Sequence, residues 1–384
     1  MMDWKSISDK IDRLNDKYLS VWEDICNIES PTDDKNGVDA VALYVTQLAE
    51  KKDWEVEVIV QKVSGNPVCI TLNPDADAAP ISLSGHMDTV HPVGSFGSPA
   101  VRRDETRMYG PGVLDCKGGI VAALLAMDAL DQCGFRARPV QLLLQSDEEK
   151  GSAPSKKETI RYICEKAKNS VGFLNLEGHT AGAACLARKG IVNFTFTVTG
   201  VEAHSSNCAE KGANAIADAA HKILELEKIK DAAGLTCNCG VISGGTVPNT
   251  VAGTCEFKAN VRFATMEQYE WICDYVQKLA AIEHVKGCSC TVSQTGYRVM
   301  MEDCQRNRSL LDTMNRIFEQ TGLPCLKAST RKGGSDAADV TAYGIPCVDS
   351  LGVEGGKIHT VHEYAELASL KSSAKRIAAV AAFI

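Results

Sequence analysis

The chain has 384 residues, more than one compact core usually holds, so two domains of roughly 100–200 residues each are expected and a single small binding module is excluded. Apolar residues make up 45% of it and charged residues 23%, which excludes a disordered or collagen-like chain. With 41 basic against 49 acidic residues the formal charge is −8, which argues against a nucleic-acid backbone or an anionic membrane surface as partner.

The start, Met1-Met2-Asp3-Trp4-Lys5-Ser6, runs into a charged amphipathic stretch without an apolar core segment, so no secretory signal and a cytoplasmic location are expected. Apolar residues at helical spacing from Ile7 through Leu14 and Val21 to Ile25 predict an opening helix, and 38–51 fits a second. Short apolar runs at 54–60, 68–72, 81–83 and 140–144 read as buried strands, with a small-residue helix over 118–130 ending near Gly134. This alternation predicts an α/β sheet with helices on both faces. After Lys189 the pattern changes: strands at 191–200, 240–242, 254–263 and 289–294, with helices at 214–226 and 266–282, give the order β-α-β-β-α-β of a ferredoxin-like module. From Leu310 helix–strand alternation returns, with a short strand at 345–350. No stretch approaches the ~20 apolar residues of a spanning helix. The sixteen cysteines lack regular spacing and are expected to be reduced; Cys237/Cys239 and Cys288/Cys290 sit two apart, unlike a C-x-x-C pair.

Ser84-Gly85-His86-Met87-Asp88-Thr89-Val90 places His86 and Asp88 at a strand's carboxyl end, where open α/β sheets gather ligands. His86 is a candidate metal ligand whose other ring nitrogen Asp88 could orient; a histidine in a polar turn is the plain alternative. The glycine-rich segment Y-G-P-G-V-L-D-C-K-G-G at 109–119 delivers Asp115 just before a helix and lacks the phosphate-binding glycine patterns. A carboxylate has two oxygens and can bridge two cations, as in hydrolases with metals ~3.5–4 Å apart. Asp147-Glu148-Glu149 closes the run 140–144 with three acids, costly unless cations or solvent take up the charge; the alternatives are a solvated loop and a ligand beside a proton carrier. Leu174-Asn175-Leu176-Glu177 again ends an apolar run in a carboxylate, and Ile358-His359-Thr360-Val361-His362-Glu363-Tyr364 offers another imidazole. Together these segments fit a mixed nitrogen and oxygen site for a borderline divalent ion.

The ordered set S-G-H-M-D-T-V, Y-G-P-G-V-L-D-C-K-G-G, S-D-E-E-K-G-S, L-E-G, G-V-E-A-H-S, G-G-T-V-P-N-T-V, K-G-G-S-D-A and I-H-T-V-H-E-Y resembles, over nearly the whole chain, the dinuclear zinc family of glutamate carboxypeptidase, acetylornithine deacetylase and succinyl-diaminopimelate desuccinylase. Arg188-Lys189-Gly190 leans toward the glutamate carboxypeptidase branch. The resemblance implies an α/β zinc-peptidase-like catalytic domain with a mixed, mostly parallel sheet, formed by 1–188 plus 297–384, and an inserted ferredoxin-like α+β lid and dimerisation domain at 189–296. It implies two zinc ions per subunit, with cobalt or manganese as substitutes. His86 and Glu177 would hold one ion, Glu149 and His359 the other, and Asp115 would bridge them, followed by a cis peptide to Cys116. Glu148 would be the general base working on a metal-bridging hydroxide, and Asp88 the partner of His86. His204, in Val201-Glu202-Ala203-His204-Ser205, would reach the oxyanion from the partner subunit of a homodimer.

Substrate binding would fall to Asn249, Arg262, Arg298 and the Gly333-Gly334-Ser335 turn, with Arg298 taking a free carboxylate in its planar fork. Arg262 is equally readable as a structural salt-bridge partner. The implied reaction is hydrolysis of an N-acyl amino acid or small peptide, with C-terminal glutamate favoured and no nucleic acid or membrane as partner. Deacylation of acetylornithine or succinyl-diaminopimelate, dipeptide cleavage, and a catalytically silent amino-acid-binding homologue are the alternatives. Gly178 stands where the family usually has Pro, Cys116 where Met or Asp is common, Ala252-Gly253 in place of Pro-Asp, and Asn260 in place of Asp. These departures leave every implied metal ligand intact and bear on the substrate.

Overall fold

The computed structural model describes residues 2–232 and 234–384. The chain forms two compact units, one running to Ala187 and taking in Asp303–Thr330 and Ser335–Ile384, the other comprising Arg188–Glu302 and Arg331–Gly334.

The first unit is built on a six-stranded sheet in the order Glu55–Val58, Val68–Leu72, Val140–Gln145, Ile81–His86, Gly172–Asn175, Cys347–Val348. The last four run parallel, while Val68–Leu72 is antiparallel to both neighbours, so the sheet is mixed and mostly parallel as expected. Its central strands are buried on both faces, which is why they read as largely apolar runs without strict alternation. Helix Trp4–Asn27, capped by the Asp3 carboxylate on the Lys5 and Ser6 N–H groups, buries Ile7, Ile11, Tyr18, Trp22 and Ile25 along one stripe. It packs on helix Lys117–Gln132, which also packs on Leu367–Phe383. Helix Lys117–Gln132 is buried from Lys117 to Leu130, which accounts for its small, apolar composition.

Two features bring the strand ends together. In register, His86 lies opposite Gln145 and Ser84 opposite Asn175, so three parallel strands finish nearly in line. The first turn of Lys117–Gln132 then closes in, because Gly118 and Gly119 have no side chains; a β-carbon there would lie 2.4 Å from the Val113 carbonyl oxygen or 2.1 Å from that of Leu176. A second, antiparallel sheet of Arg102–Arg103, Arg107–Tyr109, Tyr364–Glu366 and Gly355–Gly356 lies outside the sequence expectations. It pairs Tyr364 with Tyr109 and Gly355 with Ala365, which pins the loop 357–363 beside the loop 110–116.

In the second unit the strands Gly190–Thr199, Thr236–Gly244, Thr254–Phe263 and Ser289–Arg298 alternate with helices Ala215–Leu226 and Met266–Ala280 in the expected β-α-β-β-α-β order. All neighbouring strands are antiparallel, with Gly190–Thr199 between Thr254–Phe263 and Ser289–Arg298. Phe196 stacks on Phe257 at 4.6 Å in the core, and the Asp218–Lys222 ion pair is buried at 2.9 Å. Strand Thr236–Gly244 begins before the expected 240–242 because Cys237 and Cys239 serve as small apolar residues on its inner face. The last strand ends at Arg298 and the unit at Glu302, past the expected 296. All sixteen cysteines are free thiols, and among the described residues no helix is long and apolar enough to cross a membrane.

Candidate metal centre

The first unit brings His86, Asp88, Asp115, Glu148, Glu149, Glu177 and His359 together at the carboxyl ends of its parallel strands. His86 closes strand Ile81–His86, the short 3-10 turn Glu148–Lys150 follows Val140–Gln145, and Glu177 lies just past Gly172–Asn175. Asp115 precedes helix Lys117–Gln132 across a cis peptide to Cys116, and His359 projects from the pinned loop 357–363 with φ +60°. The Asp115 carboxylate is shared: Oδ1 is 3.1 Å from His86 Nε2 and Oδ2 is 3.2 Å from His359 Nε2. His359 Nε2 is also 3.4 Å from Glu149 Oε2, and His86 Nε2 is 3.8 Å from Glu177 Oε1. Donor atoms of His86, Asp115 and Glu149 lie within 4.8 Å of one another, as do those of His86, Glu148 and Glu177.

Crowding shows in the protonation of these groups. Burial pushes the Glu149 carboxyl up to about 7, against the hydrogen bond from His359. Burial would also raise Asp115, but hydrogen bonds from His359 and His86 outweigh it and hold this carboxyl far below the usual range. Hydrogen bonds to Asp115 and Glu149 lift the His359 imidazole to about 10. Carboxylates this close demand compensating positive charge, which is the electrostatic signature of a cation site.

Asp88 does more than its expected role. The acceptor nearest His86 Nδ1 is the Asp88 backbone oxygen at 2.9 Å, with the carboxylate at 3.5 Å. The carboxylate itself accepts from Thr32 Oγ1 at 2.7 Å and from the backbone N–H groups of Glu148 at 3.1 Å and Glu149 at 3.2 Å, so it fixes the turn carrying both glutamates. Sequence reasoning missed Thr32 as this partner, and the Cys116 sulfur, which accepts from the His86 N–H at 2.9 Å. It also missed Glu363, which is buried and accepts backbone N–H groups of the Asp115 loop. Glu363 lies within the segment Ile358–Tyr364, but hydrogen bonds to main-chain groups leave no residue pattern to read.

Within the second unit, His204 and Asn249 are exposed neighbours: the Ser205 N–H donates to the Asn249 carbonyl at 2.9 Å, and His204 Nδ1 lies 2.8 Å from the Ser206 hydroxyl. Arg298 lies against the turn at Gly334, where a β-carbon would meet its Cδ at 2.6 Å, and Arg188 donates to the Gly333 and Gly334 carbonyls. Arg262 donates to Asn260 Oδ1 at 3.1 Å; burial, then the nearby Arg298, lower its pKa. Ser335 belongs to the first unit, where it is buried; its hydroxyl oxygen accepts from Ala337 N–H as a helix cap and from Asn175 Nδ2.

Residues 82–382 match the peptidase family M20/M25/M40. The chain belongs to that family. As a member of this metallopeptidase family it is a hydrolase of amide bonds. It is 27% identical over 360 residues to carboxypeptidase G2 of Pseudomonas sp. (strain RS-16), covering 92% of this chain and 85% of that one. It is 24% identical over 374 residues to succinyl-diaminopimelate desuccinylase of Rickettsia rickettsii (strain Sheila Smith), covering 92% and 96%. The fold is similar to that of aminopeptidase PepT from Bacillus cereus ATCC 10987, with a TM-score of 0.79, 20% identity and coverage of 99% and 98%. It is also similar to a dinuclear metal-binding M20 peptidase of Bacillus subtilis, with a TM-score of 0.73, 14% identity and coverage of 97% and 98%. The donor set of this M20-family chain fits such a centre: imidazole nitrogens and carboxylate oxygens suit borderline divalent ions, and one carboxylate faces two imidazoles.

Proposed function

We propose that the protein is a zinc-dependent hydrolase cleaving the amide bond of N-acyl amino acids or small peptides, with C-terminal glutamate favoured, and that it acts as a cytoplasmic homodimer through its inserted lid unit. The observation that carries the reading is the Asp115 carboxylate, which turns one oxygen to His86 and the other to His359. His86 and Glu177 would hold one ion, Glu149 and His359 the second, and Asp115 would serve both. Zinc bound there would supply Lewis acidity toward the substrate carbonyl and would make water more acidic. Glu148 moves the proton: its carboxylate takes it from the attacking water and returns it to the leaving amine nitrogen. Asp88 holds His86 through its backbone oxygen and the Glu148 turn through its carboxylate.

Arg298 takes the free carboxylate of the substrate, with Asn249, Arg262, Gly333, Gly334 and Ser335 completing recognition. His204 donates a hydrogen bond to the oxyanion of the other subunit's substrate, a contact of the kind that contributes about 2.7–4 kcal/mol to the transition state. Similarity to carboxypeptidase G2 supports a carboxypeptidase, the motif resemblance favours C-terminal glutamate, and similarity to the desuccinylase keeps acylated diamino acids as a second substrate class. A panel of acylated amino acids and dipeptides, assayed with zinc and with a chelator, tests the reading. Zinc-dependent release, fastest from C-terminal glutamate, is expected; activity that ignores the chelator, or none across the panel, would overturn it. Glu148→Ala should keep both ions and lose turnover, and mixing it with His204→Ala subunits should restore activity if the sites are shared.

A further inference from the structure

We propose that Glu363 is a positioning residue for the bridging carboxylate, acting on Asp115 through the backbone of residues 112–115. Its side chain is 1% exposed, and a carboxylate so buried must be satisfied by donors. It finds them in one loop: it accepts from the N–H groups of Leu114 at 2.9 Å, Asp115 at 3.1 Å and Gly112 at 3.4 Å. His91 Nε2 lies 3.4 Å from the same carboxylate and supplies a further polar neighbour. The main chain of Glu363 is tied on both sides, its carbonyl accepting from Gly110 N–H at 3.4 Å and its N–H donating to Thr360 at 3.0 Å. One anion therefore clamps the loop bearing Asp115 to the loop bearing His359, the two groups that face each other at 3.2 Å.

The far side of the clamped loop is equally anchored. Trp22 Nε1 donates to the Val113 carbonyl at 3.1 Å, and the Lys117 N–H to that of Gly112 at 2.9 Å. With its peptide N–H groups converging on Glu363 and its carbonyls held from behind, the loop leaves Asp115 little freedom except at its side-chain torsions. Supporting groups of this kind typically govern ten- to hundredfold of metal affinity.

The inference rests on the reading that Asp115 is a shared metal ligand, and the test separates the two. Glu363→Gln keeps the size but replaces one acceptor oxygen with an NH2 group facing backbone N–H groups. Zinc affinity, read by competition with a chromogenic chelator, should fall by about ten- to hundredfold, kcat should drop with KM little changed, and the chelated protein should still melt cooperatively, at a somewhat lower temperature because a buried N–H loses its acceptor. Glu366→Gln is the control: Glu366 sits in the same small sheet, paired with Arg107 at 2.8 Å, and its loss should leave zinc affinity unchanged. Unchanged affinity in Glu363→Gln, or an equal loss in Glu366→Gln, overturns the proposal. Should Glu363→Gln fail to fold, His91→Gln must show a smaller loss in the same direction, and no loss there also overturns it. Wild-type protein that binds no zinc would sink the metal-centre reading instead.

Discussion

Asp88→Asn alters one functional group at a buried carboxylate that accepts three hydrogen bonds, and the structure allows its cost to be worked out. Asp88 is fully buried and accepts from Thr32 Oγ1 at 2.7 Å, Glu148 N at 3.1 Å and Glu149 N at 3.2 Å. An asparagine has one acceptor oxygen. Set at the Oδ2 position, it keeps Thr32 and Glu149 but turns its NH2 toward the Glu148 N–H; the reverse placement strands Glu149, while the Thr32 hydroxyl can rotate to accept. Either way a buried backbone N–H loses its acceptor, at about 1–3 kcal/mol, and the surviving bonds lose their charge assistance, at about 1 kcal/mol more. A folding loss of about 2–4 kcal/mol is expected from urea denaturation of the chelated protein. If about 2 kcal/mol of it is spent on the Glu148 turn, kcat/KM falls about 30-fold. A stability change under about 0.5 kcal/mol, the range of an ordinary surface substitution, together with unchanged kcat/KM, would refute the role given to Asp88.

Gly119→Ala would place a β-carbon 2.1 Å from the Leu176 carbonyl, next to Glu177, and should cost about 1–3 kcal/mol of stability; an unaltered thermal melt would show that the strand end yields freely. Asp128 sets a pH dependence. Burial would raise its carboxyl, but hydrogen bonds from Lys52 and Gln132 outweigh this and hold it below the usual range. A depressed folded-state pKa stabilises fully above the unfolded value of about 4, and the benefit is lost as pH falls through the folded value. The stability gap between wild type and Asp128→Asn should therefore be full at neutral pH and close below about pH 4; a gap that stays constant into that acid range would contradict the account.

The strands that carry the site were legible because both faces are covered, leaving mostly apolar runs such as Val140–Leu144, interrupted only by Gln141, with acids following at 147–149. Their directions were not, since an apolar run reads alike both ways; only pairing reveals Val68–Leu72 as antiparallel beside parallel neighbours. Strand Thr236–Gly244 starts ahead of the expected 240–242 because Cys237 and Cys239, flanking Asn238, serve as small core residues, a role that burial reveals and residue type does not. The small sheet was illegible for another reason: Arg107–Tyr109 and Tyr364–Glu366 are too short to show alternation, and their partner lies across the whole chain. That sheet nevertheless sets the position of His359. Metal-ligand candidates thus announced themselves through residue type, whereas Thr32 and Glu363, which hold those candidates in place, are ordinary polar residues until their partners are known.

The central claim, that five side chains grip two ions, is tested most directly by anomalous diffraction at the zinc edge from zinc-loaded crystals. Two peaks are expected, both touching Asp115, one also touching His86 and Glu177 and the other Glu149 and His359. A single peak, or peaks bound elsewhere while these residues stay unliganded, would contradict it.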